Sequence, residues 1–238
     1  MFDYYGSKNS LARKYQYPRY NCIVEPFAGS AGYSVYHLSR NKDLTAILCD
    51  KSEEVVNAWK RLKEYKPEDL LNAQIPKVGE TTNDFFVKMS STSNAAMKCK
   101  KMTVSKRMAH AYPVMMKRMA RLLRILPRIE VIHGSYEDLQ DIEATWFVDP
   151  PYQRRKGSSC NGDGYAKGCR AVDIDFQKLG DWCKCRKGQC IVCEKEGADW
   201  LPFRPFAIPT NSLDVKYTEV VWTSLPDLQM EFDFGNNF

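Results

Sequence analysis

Twice between Asn21 and Leu62 an apolar run closes on an acid and gives way to a helix, and this doubled unit constrains the fold most. In the first unit Asn21-Cys22-Ile23-Val24 leads into Glu25-Pro26, the turn Phe27-Ala28-Gly29-Ser30-Ala31-Gly32 follows, and Tyr33–Leu38 continues as a helix. In the second, Thr45–Cys49 ends on Asp50, after which Val55, Val56, Trp59 and Leu62 recur at helical spacing. Strand, turn and helix in succession predict an α/β fold with a parallel sheet and crossover helices. The rhythm returns after residue 128. Ile129–Ile132 and Ala144–Val148 read as strands, 175–187 as a helix, Gln189–Cys193 as a strand, and Tyr217–Thr223 as a β-branched, aromatic strand.

The section over 65–128 breaks the alternation and reads as an inserted, mainly helical subdomain, leaving 1–64 and 129–238 as the main domain. Met108, Tyr112, Met115, Met119 and Leu122 form a helical stripe suited to core packing, and Pro113 within it predicts a kink or two shorter helices. Charge concentrates here. Residues 60–128 hold 16 Lys and Arg against five acids, or +11, so the rest of the chain carries −5 of the total +6. A basic insert in an acidic remainder is what a polyanion-binding face requires, although a solvated helix surface has the same composition.

In an open parallel sheet, ligands bind beyond the carboxyl ends of the strands, near the point where strand order reverses. Glu25, Asp50 and Asp149 all terminate expected strands. The glycine turn lets a ligand approach the backbone closely, and Asp50 stands where the ribose-binding acid of nucleotide folds stands. Asp149-Pro150-Pro151-Tyr152 is the most informative tetrapeptide. Two prolines stop the strand and fix its geometry, so the Asp149 carboxylate and the Pro150 carbonyl become rigid acceptors beside an aromatic ring. That set suits a planar substrate with an exocyclic amine: two acceptors take the amine hydrogens and the ring stacks on Tyr152.

The order Tyr4-Tyr5-Gly6-Ser7-Lys8, then Glu25 to Gly32, then Asp50, the basic insert, Asp149-Pro150-Pro151-Tyr152 and Lys216–Thr223 resembles the Dam-type DNA adenine methyltransferases. The resemblance implies a Rossmann-like methyltransferase sheet, mostly parallel with a C-terminal antiparallel strand. It also implies S-adenosylmethionine as cofactor, and methyl transfer to the amino nitrogen of an adenine flipped out of duplex DNA. By the same resemblance Tyr4, Tyr5 and Lys8 lie over the cofactor, and Glu25, Pro26, Phe27, Ala28, Gly29, Ser30 and Gly32 surround its methionine part. Asp50 meets its ribose, and Ser135 and Tyr136 flank its adenine, with Asp149 bordering both cofactor and base. Asp149, Pro150 and Tyr152 are the catalytic set. Ser135 stands where many members have an acid, Tyr4 where a Trp is common and Ser7 where a Gly is common. For DNA contact the candidates are Arg107, Lys117, Arg118, Arg121 and Arg124 in the insert, with Arg154, Arg155 and Lys156 after the tetrapeptide.

An RNA methyltransferase, a non-catalytic DNA-binding protein on the same fold, or an enzyme methylating the cytosine amine would keep parts of this pattern. Cys183, Cys185, Cys190 and Cys193 raise a zinc reading to which Cys160 and Cys169 could add ligands; the spacing is tight for a structural module, so the reading stays open and no obligatory metal is expected. Nine cysteines, an odd count without secretion signals, are expected to be reduced. With no apolar run long enough to span a bilayer and no apolar leader, the expectation is a soluble, monomeric protein. Its setting would be the cytoplasm or nucleoid of a prokaryotic cell or virus-infected host.

Overall fold

The computed structural model describes residue 8 and residues 11–89, 101–153, 168–212 and 215–226. Nine strands appear in chain order among the described residues: β1 (Cys22–Glu25), β2 (Thr45–Asp50), β3 (Thr81–Thr82), β4 (Met102–Thr103), β5 (Ile129–His133), β6 (Ala144–Val148), β7 (Gly188–Lys195), β8 (Arg204–Ser212) and β9 (Val215–Thr223). The described helices are α1 (Gly32–Leu38), α2 (Glu53–Leu62), α3 (Pro67–Leu71), α4 (Phe85–Met89), α5 (Lys106–Leu123) and α6 (Phe176–Lys184).

Seven strands form one sheet in the order β5-β2-β1-β6-β7-β9-β8. Neighbours from β5 to β7 pair in parallel, whereas β9 runs antiparallel to both β7 and β8. The fold is thus the α/β sheet expected, with β9 as the reversed strand. β8 is an element the sequence reading does not contain. Pro205 and Pro209 argue against a strand, but β8 lies at the sheet edge, where an absent amide hydrogen is tolerated, and its register shifts between those prolines.

Strand alternation divides the core into two faces. Ile23, Leu48, Phe147 and Ile191 join one cluster with Tyr33 and Trp59, while Val24, Trp146, Val148 and Val192 join the other with Leu179 of α6. β6 is buried along its whole length, as a central strand covered on both faces must be.

The insert shares the first of these clusters. Phe85, Phe86, Val104, Tyr112, Met116 and Met119 are continuous with Leu62, Leu122 and Leu126. α5 is one uninterrupted helix through Pro113, so of the two expectations, a kink or two shorter helices, the second does not occur. Its buried face, Tyr112, Met115, Met116, Met119, Leu122 and Leu123, packs on α3 and α4, and Ser105 Oγ accepts from the Met108 amide at 3.2 Å to cap it. Packing along the rest of the face outweighs one missing hydrogen bond. A short β3–β4 pair, also absent from the sequence reading, lies within the insert.

Two basic residues from this region serve the fold instead of its surface. Arg128 donates to the carbonyls of Leu38, Asn41 and Leu44 at 2.6, 2.8 and 2.9 Å, closing the exit of α1. Lys63 Nζ donates to the Ile129 carbonyl at 2.7 Å, tying the end of α2 to β5.

Candidate active site

Strand order reverses between β1 and β6, and the carboxyl ends of β1, β2 and β6 open there into one cleft. Its floor is the glycine turn. Gly29 (φ 47°) and Ala31 (φ 50°) are both left-handed, a conformation that costs an L-residue roughly 1–2 kcal/mol. The turn is held from several sides. The Gly29 amide donates to Asp50 Oδ2 at 2.9 Å, the Ala28 amide to the Cys49 carbonyl at 3.0 Å, and Trp59 Nε1 to the Gly29 carbonyl at 2.9 Å.

Asp50 works in two directions, since its Oδ1 also accepts from the Ser52 amide at 2.8 Å. Burial pushes its pKa up to about 6, although the Gly29 and Ser52 amides draw it back. Glu25 is more deeply enclosed. Its Oε1 accepts from the Ser34 amide at 2.7 Å, fixing the first turn of α1, and burial raises its pKa to about 8 against the pull of Ser34.

Asp149 follows β6 and faces Lys8, whose Nζ lies 2.9 Å from Asp149 Oδ1, 3.8 Å from Glu219 Oε1 and 4.8 Å from the centre of the Tyr152 ring. Burial raises the pKa of Asp149, and Lys8 and hydrogen bonding from Tyr152 counter it. For Lys8 the balance is reversed: burial lowers its pKa, but Asp149 and Glu219 outweigh that and raise it above the ordinary lysine value.

The chain after Tyr152 is anchored by Glu194 at the end of β7. Its carboxylate accepts from the Gln153 amide at 2.9 Å, the Lys195 amide at 2.8 Å and Trp200 Nε1 at 3.1 Å. Burial carries Glu194 up to about 7, with those donors opposing. The sequence reading contains Glu219 only as part of the terminal Lys216–Thr223 motif and assigns neither it nor Glu194 to the site. A charged residue inside an otherwise apolar strand was the available signal.

At the other end of the cleft the Phe27 and Tyr136 rings lie 5.6 Å apart, and Trp182 meets Tyr136 edge-on at 5.2 Å. The Ser135 amide donates to Asp138 Oδ2 at 2.8 Å and the Gly134 amide to the Asp50 carbonyl at 3.2 Å, which fixes this wall to the floor. Of the expected cofactor residues, Lys8, Glu25, Pro26, Phe27, Ala28, Gly29, Ser30, Gly32, Asp50, Ser135, Tyr136 and Asp149 line this single cleft. Tyr4 and Tyr5 lie outside the described residues. Asp149 and Pro151 line the cleft, whereas Pro150 and Tyr152, the other two expected catalytic residues, are not among its lining residues. Lys51, Glu137, Cys169, Asp173, Asp175 and Lys178 also line it, and the sequence reading names none of them for the site. Glu25 keeps its proton near neutral pH, so Asp50, Glu137, Asp149, Asp173 and Asp175 give five carboxylates against the three ammonium groups of Lys8, Lys51 and Lys178.

Arg107, Lys117, Arg118, Arg121 and Arg124 are all exposed, and helical spacing gathers them on the face of α5 opposite its methionines. Arg154, Arg155 and Lys156 fall outside the described residues, as does Cys160. The cysteines of the zinc reading do not converge. Cys183 and Cys190 are buried on one face of the sheet, Cys193 on the other, and Cys185 is exposed. Among the described residues no group of three or more His, Cys, Asp or Glu is arranged to hold a metal ion, and no helix is long and apolar enough to cross a membrane.

No curated protein is significantly similar to the chain. A family model, D12 class N6 adenine-specific DNA methyltransferase, matches residues 4–128, a stretch that contains Lys8, the glycine turn, Asp50 and α5 and ends before Asp149. With over half its length matched, and with the sheet and cleft such an enzyme needs, the chain belongs to the D12 class of N6 adenine-specific DNA methyltransferases.

Proposed function

We propose that the chain moves a methyl group from S-adenosylmethionine to the exocyclic amine of an adenine extruded from duplex DNA, with Asp149, Pro150 and Tyr152 as the catalytic set. The observation that carries this reading is one acidic cleft in which the Asp50-bound glycine turn and Asp149 meet.

The donor set fits the cofactor. An excess of carboxylates favours a ligand bearing a sulfonium and an ammonium, and opposes the pyrophosphate of a dinucleotide. Asp50 spends one lone pair of each oxygen on a backbone amide, so acceptor capacity remains for the ribose hydroxyls. Phe27 and Tyr136 supply an aromatic wall for the adenine. Lys8, Glu25, Pro26, Ala28, Gly29, Ser30, Gly32 and Ser135 complete the cradle, with Tyr4 and Tyr5 proposed beside them. When bound, the cofactor supplies a methyl group activated by the positive sulfur.

The chain's own contribution is positioning and electrostatics. An adenine amine is a poor nucleophile because its lone pair is delocalised into the ring. Acceptance of its hydrogens by the Asp149 carboxylate and the Pro150 carbonyl favours the pyramidal nitrogen, whose lone pair then faces the methyl group. The carboxylate also stabilises the positive charge that grows on the nitrogen as the new bond forms. Tyr152 stacks on the extruded base, which a duplex would otherwise conceal. The Gln153–Glu194 bond keeps this turn from shifting.

We assign 65–128 to target recognition, with Arg107, Lys117, Arg118, Arg121 and Arg124 meeting phosphates or base edges and Arg154, Arg155 and Lys156 the phosphates flanking the extruded base. Calorimetry separates the roles. Asp149→Ala keeps cofactor affinity within a few-fold and loses methyl transfer to duplex DNA, whereas Asp50→Ala loses roughly tenfold or more in cofactor affinity, about 1.4 kcal/mol. Equal cofactor affinity in wild type and Asp50→Ala would overturn the assignment of the cleft.

A further inference from the structure

Behind Asp149 lies a buried cluster that the transfer reaction described above does not use. Glu219 sits on β9, opposite Lys195 of β7, and is 1% exposed. Its Oε1 accepts from the Tyr15 hydroxyl and lies 3.8 Å from the Lys8 ammonium, which is itself 2.9 Å from Asp149 Oδ1. One ammonium is therefore shared between two carboxylates. A surface strand would not bury an acid this deeply without a partner, and the partner here is the residue that contacts the catalytic carboxylate.

We propose that Glu219 is a positioning residue for methyl transfer, sharing the Lys8 ammonium so that Asp149 keeps its strength as an acceptor for the adenine amine. The proposal rests on the catalytic role given to Asp149. A lysine paired with Asp149 alone would neutralise that carboxylate and weaken its hold on the amine. With Glu219 on the far side the cluster retains one excess negative charge next to a nitrogen that becomes positive. Tyr15 sets how far Glu219 competes, since its hydroxyl takes part of the same carboxylate and its ring is fixed by stacking on Phe206 at 4.4 Å.

The ionisable groups facing Asp149 and Glu219 are Lys8, Tyr15 after the N-terminal segment, Glu25 of β1, Tyr152 of the turn, and Cys193 and Glu194 of β7. Burial raises Glu219, Lys8 lowers it and the like charge of Asp149 raises it further.

The test compares wild type with Glu219→Gln and Glu219→Asp by two readouts: the acid limb of kcat against pH, and direct 13C titration of the Asp149 carboxyl in the cofactor-free chain, assigned with Asp149→Asn. Loss of the neighbouring negative charge removes its repulsion of Asp149 and leaves the Lys8 ammonium, 2.9 Å away, to that carboxylate alone. In Glu219→Gln the titration and the acid limb therefore move to lower pH, and kcat falls about tenfold with cofactor affinity unchanged. Glu219→Asp restores both the limb and most of the rate. A limb and a carboxyl titration that stay in place, or move up, overturn the proposal, because a residue that only stabilises the fold would leave them unmoved. Should Glu219→Gln fail to fold, Tyr15→Phe carries the test in the opposite sense. Freed of the phenol, Glu219 draws Lys8 more strongly, and the Asp149 titration moves to higher pH; an unmoved titration sinks the idea. Wild-type chain without methyl transfer, but with Asp149 responding to Glu219, would count against the catalytic reading and not against the coupling.

Discussion

Burying the Glu25 carboxylate has a consequence that pH brings out. Its pKa is about 8 in the folded chain against an ordinary value of 4.5, so the folded state holds this proton more tightly than the unfolded state. Between those pH values the unfolded chain loses the proton first, and stability falls as pH rises, by up to roughly 4 kcal/mol. Glu25→Gln keeps an acceptor for the Ser34 amide and removes the ionisation. Denaturant unfolding from pH 5 to pH 8 is expected to show a falling difference in wild type minus variant, and a constant difference would contradict this. Trp59 offers a second test at the same scale, because its indole N–H is the partner of the Gly29 carbonyl in a fully buried position. Trp59→Phe leaves that carbonyl unpaired, at a cost of about 1–3 kcal/mol, and loosens the turn. Weaker cofactor binding beside lower stability is the expected pair of results; lower stability alone would mean the turn does not depend on this bond. Asp50 and Asp149 are legible in the sequence, because each ends an apolar run. For Glu194 and Glu219 a charge within an apolar strand is the one local mark, but the pairings that give them and Arg128 their roles reach 41, 204 and up to 90 residues along the chain, which no local pattern contains.

α5 shows what periodicity can and cannot give at the level of an element. Its methionine stripe and its opposite basic face follow from spacing alone. Its continuity through Pro113 follows from burial against α3 and α4, which spacing does not contain. β8 failed to register for a similar reason: proline argues against a strand only where the amide must pair, and an edge position relaxes that demand. The exposed face of α5 yields a quantitative expectation. If Arg118 and Arg121 each neutralise a phosphate, then Arg118→Gln combined with Arg121→Gln weakens duplex binding at low salt. It also flattens the dependence of log K on log salt by about 2, roughly 0.9 for each contact. Filter-binding across a salt series measures the slope. An unchanged slope would remove this face from the DNA interface.

Over the whole molecule, charge separates by task. The cleft at the switch point holds an excess of carboxylates, while the insert helix presents a basic face, so on the proposed function cofactor and polyanion would be drawn to different places. The parallel order of the sheet and its reversed strand are visible from strand–helix rhythm and from the family resemblance. The convergence of Lys8, Asp149 and Glu219 requires the fold itself, because β9 reaches β7 only by antiparallel return. The central claim is methyl transfer to adenine in DNA, and the most direct measurement supplies labelled S-adenosylmethionine with unmethylated duplex DNA or with RNA, followed by nucleoside mass spectrometry. The account predicts N6-methyladenine in the DNA, lost in Asp149→Ala while the cofactor still binds. Product in RNA alone, or a chain that binds cofactor and DNA without forming methyladenine, would contradict it.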